Sequence, residues 1–450
     1  LKGTWTNTVT LVADDNVTSD GIETLQHTRQ SETLANESVP KSFDIKKIYL
    51  AEYPTVISGL GRKKPNATDA LVAAINTGTL MVNYQGHGSE DLWADEEVFN
   101  RVTTIPRLNN ERLFFLSAPT CDFAYFDKPG VISGAEELLI TENKGVIGGF
   151  VSSRPVYSAP NAALNEAFYS NLFPDNSSTH EARTIGEAYF ITKQVFDESN
   201  DEKFFLMSDP ALVLNSPSIP VAIDSVNGNT LNENSIQIKA LSTVSVAGSV
   251  KNSNGDVDNN LEGEGFVTVY DAEKQKFIKD LNETVVKQGG IIFNGRVSIE
   301  NGNFRTEFVV PKDITYENKN GKIVAYVFND NNDGIGFTTN VIVGGTDTTV
   351  VNDNKGPEAE IYYDNINFEN SFLVNPDFKL IVKLTDETGL NTTGTGVGHK
   401  LEAILNEDVE NTIDLSNNFT GDLNSGGKSG LIEYNFFDKE PGNYNIKILS

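Results

Sequence analysis

Over the first half of the chain, short and nearly continuous apolar runs alternate with longer segments whose apolar residues recur at helical spacing. Thr8–Ala13 (TVTLVA), Lys47–Ala51 (KIYLA), Thr79–Tyr84 (TLMVNY), the run opening at Leu113 (LFFLSA) and Gly145–Ser152 (GVIGGFVS) read as buried strands, and Phe204–Leu214 closes the series. Between them Ile22–Leu34, Thr68–Asn76, Ser133–Glu142, Asn161–Leu172 and Thr184–Phe196 read as helices. Leu71, Val72 and Ile75 share one face of the second, Gly78 suits its C-terminal cap, and Thr184 with Glu187 has the spacing of a capping box. Apolar strands separated by helices predict an α/β unit over residues 1–215, with a mostly parallel sheet covered by helices on both faces.

Past Asn215 the period changes. Pro217 and Pro220 mark a linker, and Ser235–Ala240, Phe266–Tyr270, Ile291–Ile299, Phe304–Val310, Lys322–Phe328 and Thr338–Val343 follow as strands between Asn, Asp and Gly turns. This spacing predicts an Ig-like β-sandwich over residues 216–350. After a polar break at Asp347–Gly356, the strands Glu360–Tyr363, Phe378–Leu384, Lys400–Leu405, Leu431–Phe436 and Tyr444–Ile448 predict a second sandwich over 357–450, read as incomplete because Ser450 falls in mid-strand. Asn329–Gly334 (NDNNDG) approaches a calcium-loop pattern. An Asn holds its first position and Asn340 its twelfth, so a hairpin turn is expected there.

Charge narrows the classes of partner. With 35 Lys+Arg against 63 Asp+Glu the formal net charge is -28, a surface that repels nucleic acid. No apolar run reaches the roughly 20 residues of a membrane-spanning helix. The opening LKGTWTNTV lacks an initiator Met and a signal-peptide pattern, so it reads as the interior of a longer precursor. One cysteine forbids an internal disulfide and leaves a free thiol to explain.

That cysteine, Cys121, stands three residues past the apolar run beginning at Leu113, where an open α/β sheet carries its chemistry. The Thr79–Tyr84 strand opens likewise into Gln85-Gly86-His87-Gly88. Both residues stand among turn residues beyond their strands, which favours a nucleophile and its base over two core residues. A free thiol is only a few per cent thiolate at neutral pH, so Cys121 needs such a base. The other histidines compete little: His27 falls in a helix, His180 in a loop, and His399 in the far β region. The Gly88 amide, with that of Cys121, is suited to hold a tetrahedral oxyanion. Asp14 and Asp15 leave the end of the first strand and are candidates to orient the imidazole, with a turn or capping role as the competing reading.

Gly86-His87-Gly88-Ser89-Glu90 followed by Trp93, a Cys after the next buried strand, and Ser208-Asp209-Pro210-Ala211-Leu212 resemble the gingipain-type cysteine peptidases, whose fold is caspase-like. The resemblance covers roughly Gly3 to Leu214. Thr120-Cys121-Asp122-Phe123, Phe126-Asp127, Ser133-Gly134-Ala135-Glu136, Arg154-Pro155-Val156-Tyr157 and Asn161 are similar, within the family, to its PorU-type branch, the C-terminal signal peptidase or sortase of the type IX secretion system. The resemblance implies Cys121 as nucleophile, His87 as general base and acid, and Asp14 as the orienting acid, with Asp15 as the alternative. It implies no cofactor for the chemistry and adds structural calcium without a mapped ligand set. Arginine-specific members carry an acid where this chain has Thr24, so strict Arg specificity is not expected. Further implied are an enzyme on the extracellular face of the outer membrane of a Bacteroidota-type bacterium, cargo with C-terminal sorting domains, the outer-membrane barrel PorV as partner, and lipopolysaccharide as acyl acceptor. A broader secreted protease and an inactive surface adhesin or scaffold are the rival readings.

Overall fold

In the computed structural model of the chain, residues 2–18, 21–22, 26–59, 61–174, 182–231, 235–278, 283–347, 355–367, 373–391, 401–409, 412–437 and 439–449 are described. The chain forms two compact units. The first comprises Leu1–Ser218 together with Gln275–Val285, and the second the remainder.

The first unit is built on a six-stranded sheet. Its strands are β1 (Thr8–Ala13), β2 (Asp44–Tyr49), β3 (Met81–Gln85), β4 (Phe114–Ala118), β5 (Val146–Ser152) and β6 (Phe204–Met207). They lie in the order β6-β5-β4-β3-β1-β2, with every pair parallel except the edge pair β5–β6. Successive side chains of a strand point to opposite faces. Val9, Leu11 and Ala13 of β1 accordingly enter one apolar core while Val12 enters another. On the first face lie Leu164, Phe168 and Leu172 of a helix at Ser158–Leu172 and Ile185 and Ala188 of a helix at Ile185–Val195. On the second lie Leu71, Val72 and Ile75 of the Pro65–Thr77 helix and Leu138 of the Gly134–Ile140 helix. The sheet is thus covered on both faces, as two-sided apolar strands require. Ile278 and Val285, from the strands Lys274–Ile278 and Glu283–Lys287, join the first core.

Local signals set several boundaries. Gly78 ends its helix at φ 115°, its amide donating to Ala74 O, and the Thr184 hydroxyl accepts the Glu187 amide. The segment expected as a helix from Ile22 behaves differently. Ile22 pairs with Val17 in a short ribbon, and the helix runs only over Gln26–Thr33 before a wider turn at Leu34–Ser38. Its polar sequence gives the helix no apolar stripe to extend the packing.

The second unit is β-rich, with a 13-stranded mixed sheet. One apolar core gathers Val221, Val246, Val269, Val297 and Val343, and another gathers Leu380, Val382, Leu401, Phe419 and Ile432. Asn329–Gly334 turns between the antiparallel strands Lys319–Phe328 and Asp333–Thr346, with Asn329 Oδ1 accepting the amides of Asn331 and Asn332. Among the described residues no helix is long and apolar enough to cross a membrane.

Candidate active site

β3 and β4 are hydrogen-bonded neighbours running parallel, so the loops leaving their C-terminal ends emerge side by side. One carries His87 and the other Cys121. The loops are tied directly, because the Thr120 hydroxyl donates to Gly86 O at 2.8 Å. Both glycines flanking His87 are required by close approach. A Cβ on Gly86 would fall 2.3 Å from the Tyr84 hydroxyl and 2.5 Å from Asp14 Cβ, and one on Gly88 would fall 2.4 Å from Thr120 Oγ1. Only glycine lets the histidine turn pack between the Asp14 and Thr120 loops.

The histidine loop is held from beneath. The Tyr84 hydroxyl donates to His87 O at 2.6 Å, and the Tyr84 ring stacks on Trp93 with centroids 4.6 Å apart and planes at 4°. The Ala94 amide also donates to His87 O, which closes the hairpin after the glycine motif. Behind it stands Asp14. Its Oδ2 accepts the His87 amide at 2.9 Å and its Oδ1 the Asn16 amide at 3.0 Å. Burial pushes the Asp14 carboxyl up to about 6, opposed by the His87 amide bond and by the charge of His87.

Asp15 faces elsewhere. Its Oδ2 lies 2.9 Å from Lys64 Nζ and 3.5 Å from Arg62, which also binds Glu96 at 2.9 Å. The carboxylate that meets the His87 loop is therefore Asp14. Asp14, Asp15 and Glu96 form the one all-carboxylate grouping tight enough for a cation among the described residues. With Lys64 on Asp15 and Arg62 on both Asp15 and Glu96, this grouping does not fit the structural calcium that the family resemblance adds.

Cys121 is half-buried and packs against the core of the first unit. Its thiol donates to Val156 O at 3.5 Å while the Val156 amide donates to Sγ at 3.4 Å. Burial pushes the thiol above its ordinary value, only partly offset by the Val156 amide, so the resting sulfur is a protonated thiol. The loop around it is braced by the residues that carried the sequence motifs. Asp122 adopts φ 58°, the Ser152 hydroxyl donates to Thr120 O, and Asn161 Nδ2 donates to Pro119 O at 3.2 Å. Arg154 grips Asp127 through two bonds of 2.8 and 2.5 Å, and Ser133 and Glu136 form a capping box.

His27 is the residue that the sequence argument set aside and the structure brings in. Its buried ring meets His87 edge to face, with centroids 5.4 Å apart and planes at 89°. Nothing local to its helix signals this, since the approach of that helix to β1 and β3 is tertiary. Thr24, His180 and His399 lie outside the described residues.

A lone thiol and an imidazole stand on adjoining loops above a parallel sheet with helices on both faces, the pair of groups that a cysteine peptidase requires. Residues 1–215 match the sequence profile of Peptidase family C25, and this part of the chain belongs to that family. No curated protein sequence matches the chain. Among solved structures it is similar to dimeric latent PorU from Porphyromonas gingivalis, at 24% identity and a TM-score of 0.33 over 63% of this chain and 27% of that one. It is also similar to the Arg-specific cysteine proteinase gingipain R (RgpB), at 18% identity and a TM-score of 0.37 over 76% of this chain and 68% of that one. The complex of Porphyromonas gingivalis RgpB pro- and mature domains gives the same 18% and 0.37. The chain spans about a quarter of the length of the PorU structure.

Proposed function

We propose that the first unit is a caspase-like endopeptidase in which Cys121 attacks a peptide carbonyl and His87 moves the proton. The observation that supports this most is the Thr120–Gly86 hydrogen bond, which fixes the cysteine and histidine loops against each other. His87 takes the thiol proton as sulfur bonds to the carbonyl carbon. The oxyanion is held by the amides of Gly88 and Cys121, and the same proton goes to the leaving amine when the C–N bond breaks. A thioester on Cys121 remains, resolved by water or by an amine. Asp14 places a negative charge behind His87 and favours its protonated intermediate.

The motif residues around Cys121 support the PorU-type role within the family. In this reading the enzyme removes C-terminal sorting domains from type IX secreted cargo at the outer-membrane surface, works with the barrel PorV, and passes the acyl group to a lipopolysaccharide amine. The β-rich residues expected as sandwiches over 216–350 and 357–450 belong to the same reading. A junction peptide spanning a cargo C-terminal cleavage point, incubated with the enzyme and a small amine, is expected to yield an amide conjugate beside the hydrolysed product. Hydrolysis alone across a wide amine range reduces the role to a peptidase, and cleavage by the Cys121→Ala protein removes the thiol from the mechanism.

A further inference from the structure

Peptide hydrolysis as drawn does not use His27, although it is buried against the general base. A carboxylate oxygen of Asp14 and one ring nitrogen each of His27 and His87 lie within 4.8 Å of one another. The His27 ring is fixed from behind: Nδ1 lies 3.2 Å from Gln30 Oε1 and 3.3 Å from Ser158 Oγ. Gln30 is itself oriented, since its Nε2 donates to Ser158 O at 3.2 Å and its Oε1 accepts the Ser158 hydroxyl at 3.1 Å. With acceptors at Nδ1, that nitrogen carries the proton and Nε2 keeps its lone pair, the tautomer of a metal-ligating histidine. Asp14 is likewise oriented by the amides of Asn16 and His87, and the Asn16 side chain also accepts the His27 amide at 3.1 Å.

We propose that Asp14, His27 and His87 form a binding site for a zinc-type divalent transition-metal cation, and that its occupancy switches the peptidase off. Two neutral imidazoles and one carboxylate are a donor set for zinc with an open fourth position, and they carry one negative charge toward a dication. Calcium and magnesium, which require oxygen ligands, are disfavoured by the same set. Tetrahedral ligation at about 2.0–2.1 Å brings ligand atoms to about 3.3 Å from one another. The His87 side chain, on a turn and not inside a strand, is the one that swings to close the gap. Metal on one ring nitrogen of His87 leaves the other carrying the N–H, so the imidazole keeps no lone pair to receive the Cys121 proton. That inhibitory consequence rests on the peptidase reading, whereas binding itself does not.

The test uses the full chain with Cys121→Ala, so that neither a thiol ligand nor turnover enters the readout. Zn2+ binding is measured by calorimetry, and the imidazole nitrogens of the chain's four histidines are followed by 15N NMR. We expect one Zn2+ per chain and coordination shifts on two rings, both retained in the His180→Gln/His399→Gln protein. His27→Gln removes a ligand and is expected to weaken binding by about 100-fold or more, at or beyond the upper end of what loss of a ligand's hydrogen-bond partner costs. Millimolar Zn2+ without histidine shifts, a shift on only one ring, or binding unchanged by His27→Gln overturns the site; the NMR arm decides even where His27→Gln folds poorly. Zn2+ binding to Cys121→Ala without inhibition of the native enzyme overturns the switch alone. Failure of thiol labelling in metal-free native enzyme overturns the peptidase reading and leaves the site standing.

Discussion

Replacing Asp14 by Asn separates the carboxylate's service to the site from its effect on the fold. Asp14 is 2% exposed and its carboxyl titrates at about 6, against 3.8 for an ordinary aspartate. At about 1.4 kcal/mol per pH unit, that gap is worth about 3 kcal/mol. The sign follows from proton binding. Between those two values the folded state holds a proton that the unfolded chain has released, so stability contributed by Asp14 is fully present below 3.8 and lost as pH rises through about 6. Asn cannot titrate, so the stability of Asp14→Asn relative to the native protein should rise by about 2 kcal/mol between pH 4 and pH 7. A pH-independent offset of about 1–3 kcal/mol in the other direction accompanies it, because an Asn amide group meets the Asn16 or His87 amide donor where a carboxylate oxygen accepted it. Both tryptophans, Trp5 and Trp93, lie in the first unit, so urea unfolding followed by their fluorescence reports that unit. Measured in chelator at several pH values, a difference curve flat to within about 1 kcal/mol would refute the claim that burial of a charge dominates at Asp14. Turnover should fall in the same variant, but by less than on loss of the thiol.

Cys121→Ala is expected to abolish cleavage while lowering stability by no more than about 1 kcal/mol, the value of one modest hydrogen bond, read from the same urea transition. In the absence of substrate, alkylation of Cys121 by iodoacetamide should accelerate with pH, with its midpoint above that of an ordinary cysteine, because burial favours the protonated thiol; a midpoint below neutrality contradicts the resting state described. Gly88→Ala forces a methyl to within 2.4 Å of Thr120 Oγ1 and should cost about 1–3 kcal/mol together with most of the activity, whereas wild-type behaviour in both assays refutes the close packing of the two loops.

The elements that sequence made legible were those with local causes. β1 coincides with the apolar run Thr8–Ala13, and the Ile291–Ile299 strand with its alternating pattern. The placement of Cys121 and His87 beyond neighbouring strands followed from apolar runs and turn residues alone. What could not be read depends on contacts distant in sequence. Asp14 and Asp15 are equivalent in sequence, and Lys64 and Arg62, some fifty residues on, draw Asp15 away. His27 joins His87 only because its helix packs against β1 and β3, which no spacing within QHTRQSET announces. The strands Ile219–Val226 and Thr243–Val250 were missed because Pro220 and the Gly, Ser and Ala of the second weaken the strand signal that long-range pairing restores. The strand order of the 13-stranded sheet was likewise beyond local pattern, since it is set by pairings such as that of Val221 with Val250.

The central claim, that Cys121 is a nucleophile served by His87, is tested most directly by labelling the native chain with a peptide bearing a thiol-reactive electrophile and following the rate by intact mass. One adduct per chain is predicted, mapping to Cys121, with labelling slowed about 10²- to 10⁴-fold in a His87→Ala protein that retains the native urea transition. Labelling at an equal rate with and without the imidazole, or no faster than for a free thiol, would contradict it.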